Sequence, residues 1–158
     1  MRITSISALF SILFMTAAMA NPIISITAPS KEGSSVRLEL SEADLRSYDA
    51  ATFTTINPYV EVPTEFTGAL LRDLLADFDL SDATSLRLRA INDYAVSMPV
   101  DDIEKYDVIV AYLSEGEPMS VRDKGPLWVM YPISDNPELD DPSVHSRLIW
   151  QLVAIEAE

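Results

Sequence analysis

Two cations stand just ahead of a turn and an aromatic strand in the last third of the chain. Arg122 and Lys124 flank an aspartate and precede Gly125-Pro126 in the segment RDKGPLWVMYP. Cations are scarce, with 11 lysines and arginines against 25 aspartates and glutamates. Because loop residues carry many binding sites, we predict that Arg122, Lys124 and the following Trp128 bind a small anionic ligand. The alternative is that both cations are solvated turn residues that balance local acid.

A second polar group is Asn92-Asp93-Tyr94, which follows an alternating segment. These residues offer an amide, a carboxylate and a phenol to a ligand, and we include all three in the predicted binding site. Asparagine and aspartate are also common turn residues, so the alternative is a hairpin turn on which Tyr94 packs.

The composition excludes several kinds of chemistry. The chain has no cysteine and one histidine, so thiolate ligands, cysteine nucleophiles and a multi-histidine metal site within the chain are ruled out. His145 follows a proline-rich loop and is predicted to be exposed. We assign no catalytic residue and no metal ligand. A formal net charge of −14 argues against binding to nucleic acid or to anionic membrane surfaces.

The amino terminus is typical of a secretory signal peptide. Within residues 1–20, Arg2 supplies a positive charge at the start, and the apolar run Ile6–Met15 follows. The segment ends with Ala18-Met19-Ala20, a cleavage pattern with small residues at its first and third positions. The apolar run is too short for a membrane span. We therefore predict cleavage before Asn21, a single mature domain over residues 21–158 without a transmembrane segment, and a periplasmic location.

The remaining segments are short and mixed. Alternating or apolar runs predict strands at SVRLEL, TFTTI, SLRLRAI, AVSMPV, DVIVAYL, PLWVMY and RLIWQLVAIEA. Helices are predicted after Ser41, over residues 67–78, and after Pro99 with Asp101 and Asp102 as caps. Residues 27–35 and 134–143 are predicted to be loops, since Pro137 and Pro142 disfavour regular structure in the second. This pattern predicts an α+β fold with a mixed, mainly antiparallel sheet and two or three short helices.

Large aromatic side chains in these strands have two interpretations. Trp128, Tyr131 and Trp150 are expected first in the core, and second as stacking partners of a flat ligand.

Four segments in order resemble the oxidoreductase molybdopterin-binding domain, whose fold is shared with sulfite oxidase. They are FTGALLRDLL (66–75), LRAINDYAVSMPVDDI (88–103), VIVAYLSEGEPMSVRDKGPLWVMYP (108–132) and IWQLVAIE (149–156). The resemblance covers about residues 35–157 and is greatest to the short, exported, single-domain members. It implies a sulfite oxidase-like fold, in which Phe66 and Gly68 help to dock a helix on the sheet. It also implies molybdopterin as the cofactor class.

Three departures from the family pattern bear on function. The resemblance implies that family enzymes hold molybdenum through a cysteine in the loop before the Phe-x-Gly segment, but TFTTINPYVEVPTEF (52–66) contains no sulfur. Trp128 stands where those enzymes have an arginine, and Ile149 stands where they have a lysine.

These observations lead to two hypotheses. The first is an exported module that binds a small ligand or a partner protein, with sensory input as one use and no cysteine-bound metal. The second is a molybdopterin-dependent oxidoreductase whose metal has no protein ligand or takes an oxygen ligand from Thr54, Thr55 or Asn57. Both predict one pocket near residues 53–58, 92–94 and 122–128. The predicted binding residues are Thr55, Asn57, Asn92, Asp93, Tyr94, Arg122, Lys124 and Trp128.

Overall fold

The computed structural model describes residues 21–158, so the predicted signal peptide lies outside the described residues. Within this part, ten strands and four short α-helices form the predicted α+β fold. The strands are β1 (Ile24–Pro29), β2 (Ser35–Leu40), β3 (Ala50–Asn57), β4 (Val60–Leu70), β5 (Ser85–Ala90), β6 (Ala95–Pro99), β7 (Ile109–Ser114), β8 (Glu117–Pro118), β9 (Trp128–Met130) and β10 (Leu152–Ala157). The helices are α1 (Glu42–Leu45), α2 (Leu71–Leu74), α3 (Asp101–Lys105) and α4 (Pro142–His145). None of these helices is long enough to cross a membrane.

The first sheet has the strand order β2-β1-β10-β5-β6 and brings the two ends of the described chain together. Strands β1 and β10 run parallel, and the other neighbours are antiparallel. The alternation in β5 explains its placement, because Leu86 and Leu88 are fully buried while Arg87 is exposed.

The second sheet has the order β3-β4-β7-β8, and β9 also pairs with β7. Strand β7 lies at the centre of this sheet, and its residues Ile109–Tyr112 are all buried. Gly68 on β4 pairs with Ala111, and a Cβ at this glycine would overlap the main chain of Val110. The absence of a side chain therefore allows β4 to lie directly against β7.

One hydrophobic core joins both sheets. It includes Ile26 and Leu88 from the first sheet, and Phe66 and Ile109 from the second. Because the chain has no cysteine, burial of these side chains holds the fold without disulfides.

The predicted helix over residues 67–78 is wrong in its extent. Helix α2 covers only Leu71–Leu74, and residues 67–70 complete β4. The reason is long-range pairing: β4 bonds to β3 on one side and β7 on the other, which satisfies its main chain as a strand. Leu71 and Leu74 are nevertheless buried, as the amphipathic pattern predicts.

The two predicted loops contain regular structure. Strand β1 overlaps the first loop, because it pairs with both β2 and β10. In the second, 3-10 turns over Ile133–Asp135 and Pro137–Leu139 precede α4. Pro142 begins α4, which is a position where a helix needs no N–H group.

The capping predictions have mixed outcomes. Ser41 caps α1 through a reciprocal capping box with Asp44, as predicted. Helix α3 instead begins after Val100 without a side-chain cap, so the predicted capping role of Asp101 and Asp102 is wrong. Asp102 points toward the residue after β9, where it accepts a hydrogen bond from Tyr131.

Candidate functional site

The predicted site residues do not line one pocket but divide between two cavities. The first, here called the aromatic cavity, is lined by Tyr59, Ala90, Asn92, Tyr94, Ser146, Leu148, Ile149 and Trp150. The second, the charged cleft, is lined by Val60, Glu61, Thr64, Ser114, Glu117, Pro118, Met119, Ser120, Arg122, Asp123, Lys124 and Trp128. Thr55, Asn57 and Asp93 line neither of these cavities.

The aromatic cavity has the size and lining of a small-molecule site. Its volume is about 320 Å³, at the lower end of the range for small ligands. Tyr59, Tyr94 and Trp150 supply aromatic surface, and no charged side chain lines the cavity. Trp150 is 36% exposed and Tyr94 50%, so both rings have area that a ligand can cover.

Hydrogen bonds to the end of α4 hold the two tyrosines. The hydroxyl of Tyr59 donates to the carbonyl oxygen of His145 at 3.3 Å. The hydroxyl of Tyr94 donates to the carbonyl oxygen of Ser146 at 3.5 Å. Trp150 lies edge-on to Tyr59, with ring centroids 5.2 Å apart. The cavity is therefore set by contacts among the β3–β4 turn, the β5–β6 turn and the segment between α4 and β10.

The β5–β6 turn presents one amide to this cavity. Asn92 Oδ1 accepts a hydrogen bond from the Tyr94 N–H at 3.2 Å, which fixes the side chain as the turn prediction expects. Its Nδ2 group has no hydrogen-bond partner among residues 21–158, so it remains a donor for a ligand. Asp93 has a φ of 64° and is directed instead to Arg89, whose Nη1 lies 3.4 Å from Oδ1.

The charged cleft is larger and more open, with a volume of about 560 Å³. Arg122 and Lys124 share it with three carboxylates, those of Glu61, Glu117 and Asp123. Two cations facing three carboxylates make a weak site for an anion.

Lys124 is already held by neighbouring groups. Its Nζ donates to the carbonyl oxygen of Tyr59 at 3.0 Å and lies 4.9 Å from the centroid of the Trp128 ring. Arg122 is exposed, and within the described residues its guanidinium makes no ion pair. Arg122 is thus the cation of this pair that remains available to a ligand.

A row of aromatic rings lies between the two cavities. Trp150 and Trp128 meet edge to face with ring centroids 6.4 Å apart, and Trp128 meets Phe66 at 5.4 Å. Trp128 is 3% exposed, and its Nε1 donates to the carbonyl oxygen of Leu148. Trp128 and Tyr131 are therefore core residues, as predicted, but the same prediction is wrong for Trp150, which is 36% exposed beside the aromatic cavity.

Thr55 and Asn57 are buried and bonded within the chain. Thr55 Oγ1 accepts a hydrogen bond from the Ser134 N–H at 3.2 Å. Asn57 Oδ1 accepts from the Tyr59 N–H at 2.9 Å, and its Nδ2 lies 3.7 Å from Met130 Sδ. These side chains connect the end of β3 to β9 and to the segment that follows it.

Sequence reasoning missed the part of the aromatic cavity that comes from residues 146–149. The signal that could have found this cavity is Tyr59, an aromatic residue directly after the Asn57-Pro58 turn that lines the cavity together with those residues. His145 is also not exposed as predicted: its side chain is 17% accessible. Its Nε2 lies 3.0 Å from Asp140 Oδ1 but without hydrogen-bond alignment.

One buried polar network lies outside both cavities. Asp102 Oδ2 accepts hydrogen bonds from Tyr131 Oη at 2.6 Å and from Arg147 Nη1 at 2.7 Å. Burial, and then the hydrogen bond to Asp102, raises the pKa of Tyr131 well above its ordinary value of 10.0. The phenol is therefore a permanent donor at neutral pH.

The chain belongs to the oxidoreductase molybdopterin binding domain family, whose model matches residues 37–134. Among solved structures, the sulfane dehydrogenase SoxCD from Paracoccus pantotrophus is similar to it, with a TM-score of 0.65 and 14% sequence identity. That match covers 85% of this chain but only 37% of the SoxCD chain, and at this identity it shows the fold alone. A search of curated proteins finds no relative.

The residues of this chain do not fit the molybdenum centre that the family resemblance implies. There is no cysteine, and Thr55 and Asn57 are already hydrogen-bonded within the chain. Thr54 is exposed on β3 and lines neither cavity. Within residues 21–158, no group of three or more histidines, aspartates or glutamates could hold a metal ion.

Proposed function

We propose that this protein is an exported binding module that holds a small, flat and uncharged ligand in the aromatic cavity. The carrying observation is the lining of that cavity: three aromatic rings, one available amide donor and no charged side chain. Such a lining favours ligands that stack and accept a hydrogen bond over ligands that carry charge. The fold is that of the molybdopterin-binding family, but the binding chemistry differs from that of a cysteine-bound molybdenum centre.

Each wall contributes a different part of the binding free energy. A ligand ring that covers Trp150 and Tyr94 removes exposed aromatic surface from water. An edge-to-face or stacked contact adds roughly 1 kcal/mol for each ring pair. Asn92 Nδ2 selects a ligand that has an acceptor within reach, because an unpaired donor would otherwise be desolvated.

Two parts of the proposal rest on charge and on the amino terminus. The predicted signal peptide supports export to the periplasm. The net charge of −14 supports a partner with a basic face if the module passes its signal to another protein, as a sensory domain would.

The alternative function is a molybdopterin-dependent oxidoreductase with a non-cysteine metal ligand. Family membership favours it. The bonding of Thr55 and Asn57 within the chain weighs against it, because neither side chain presents a free oxygen to a metal.

The proposal is tested by the small molecules that the protein carries. Protein purified from its exported compartment is denatured, and the released compounds are identified by mass spectrometry. We expect one uncharged ring compound in the wild type and at least a tenfold smaller amount in Trp150→Ala. Val62→Ala is the matched control, since Val62 is an exposed apolar residue outside both cavities.

Three outcomes count against this proposal. An unchanged amount of compound in Trp150→Ala would place the ligand elsewhere. The absence of any bound compound, or a partner protein that stays bound in its place, would remove the small-ligand function.

A further inference from the structure

Strand β3 is an edge strand without the protection that the other edges have. Its eight residues, AATFTTIN, include no charged residue, proline or glycine. The edge strands of the first sheet differ: β2 carries Arg37 and Glu39, and β6 has five residues and ends at Pro99. Charges, shortness and proline are the usual means by which proteins keep edges from pairing. The 3-10 turn Ile133–Asp135 covers the end of this edge at Ile56, so the stretch suited to pairing runs from Ala50 to Thr54.

Main-chain directions on β3 identify which groups are available. The Ile56 N–H points away from β4, because it donates to Ser134 Oγ at 3.0 Å. Glu65 on β4, which pairs with Thr54, directs its N–H and C=O groups toward Glu115 and away from β3. Because the register from Ala50 to Thr55 is regular, Ala50, Thr52 and Thr54 direct their own N–H and C=O groups to the outer side. Among residues 21–158, nothing accepts from or donates to these outer groups.

Side chains on this edge are small and exposed. Ala50, Thr52 and Thr54 are all exposed, whereas Phe53 packs against the core from the other face. Thr52 Oγ1 is 2.8 Å from Thr67 Oγ1 on β4, so its rotamer is already set. A partner strand meets no bulky side chain along this stretch.

Charge indicates which partner fits the edge. A basic peptide would be recognised by carboxylates, and β3 has none. Two copies of a chain with a net charge of −14 repel each other, so contact between them is least opposed along a strip free of carboxylates. Residues Ala50–Thr54 form such a strip, and the same outer N–H and C=O groups on a second copy complete an antiparallel pair with it.

We propose that β3 is a self-association edge, which pairs antiparallel with β3 of a second copy around a two-fold axis at Thr52. Thr52 then faces Thr52 of the second copy, and Ala50 faces Thr54 of the second copy. The pairing joins the two second sheets into one continuous sheet. No residue of β3 lines either cavity, so the pairing edge and the cavities are formed by different residues. The inference is therefore independent of the proposed ligand.

The test is the dimer dissociation constant, measured by sedimentation equilibrium on protein from the exported compartment. Thr52→Lys places two lysines opposite each other at the axis, and we expect the dissociation constant to rise at least tenfold. Ser97→Lys is the matched control, since it adds the same charge to an exposed position on edge strand β6. The control lowers the overall repulsion between acidic chains, so its dimer is expected to be as tight or tighter.

Amide hydrogen exchange gives a second readout that needs no variant. As protein concentration rises, we expect slower exchange at Thr52 and Thr54 and no change at Thr55. A monomer at every accessible concentration would overturn the inference. It would also be overturned by a dimer that Thr52→Lys leaves intact, or by exchange at Thr52 and Thr54 that does not depend on concentration.

Discussion

At the scale of single residues, Asp102 joins three parts of the fold. It lies on α3, bonds to Tyr131 after β9 and bonds to Arg147 after α4. The side chains of Asp102 and Arg147 are only 14% and 17% exposed. Loss of one member of such a pair leaves the other buried without its partner, which costs more than loss of a surface ion pair.

We therefore expect Asp102→Asn to lower the free energy of unfolding by roughly 3 kcal/mol, measured by urea denaturation at pH 7. Asp101→Asn is the control, because Asp101 is exposed on the same helix and is expected to change stability by less than about 0.5 kcal/mol. Equal effects of the two substitutions would show that the Asp102 network does not stabilise the fold.

The raised pKa of Tyr131 predicts a loss of stability in alkali. Its folded pKa exceeds the unfolded value of 10.0, so its contribution is complete below pH 10 and declines as the unfolded chain ionises at higher pH. This group alone should remove about 1.4 kcal/mol by pH 11. Urea denaturation at pH 9 and pH 11 should show a smaller decline for Tyr131→Phe than for the wild type.

Residue roles could be predicted from the sequence where the residue type restricts them strongly. The burial of Trp128 and Tyr131 is confirmed, since both rings bring large apolar areas in or just after a buried strand. The roles of Asp102 and His145 could not be predicted, since each depends on partners that are distant in sequence or in an unexpected helix.

At the scale of elements, the strands were easier to predict than the helices. The predicted strands β2, β5 and β6 are confirmed, β6 as the hairpin partner of β5; the alternation is clear in β5, whereas Val36 on β2 is exposed. The extent of α2 was not predictable, because residues 67–70 become a strand through pairing with β3 and β7. Helical periodicity in a short segment competes poorly with hydrogen bonds on both sides of a strand.

Gly68 tests how closely β4 and β7 must approach. A Cβ there would overlap the main chain of Val110, so we expect Gly68→Ala to lower the free energy of unfolding by at least about 3 kcal/mol in a thermal or urea denaturation. Gly33→Ala is the matched control, since that position has open space and only a positive φ of 85°. Its expected cost is about 1 kcal/mol. A similar cost for both would show that the strand contact at Gly68 is not tight.

At the scale of the whole molecule, the predicted single pocket becomes two cavities separated by a row of aromatic rings. The sequence identified Asn92, Tyr94, Arg122, Lys124 and Trp128 as candidates, and each lines one of the cavities. It did not predict which residues share a cavity, because that depends on where the segment before β10 crosses the β5–β6 turn.

The central claim is that this member of the family binds its ligand without a cysteine-held molybdenum centre. The most direct measurement is elemental analysis, with pterin fluorescence after acid oxidation, on protein purified from its native host. We predict no stoichiometric molybdenum, tungsten or molybdopterin. Stoichiometric metal together with pterin would contradict the claim and would favour the oxidoreductase alternative.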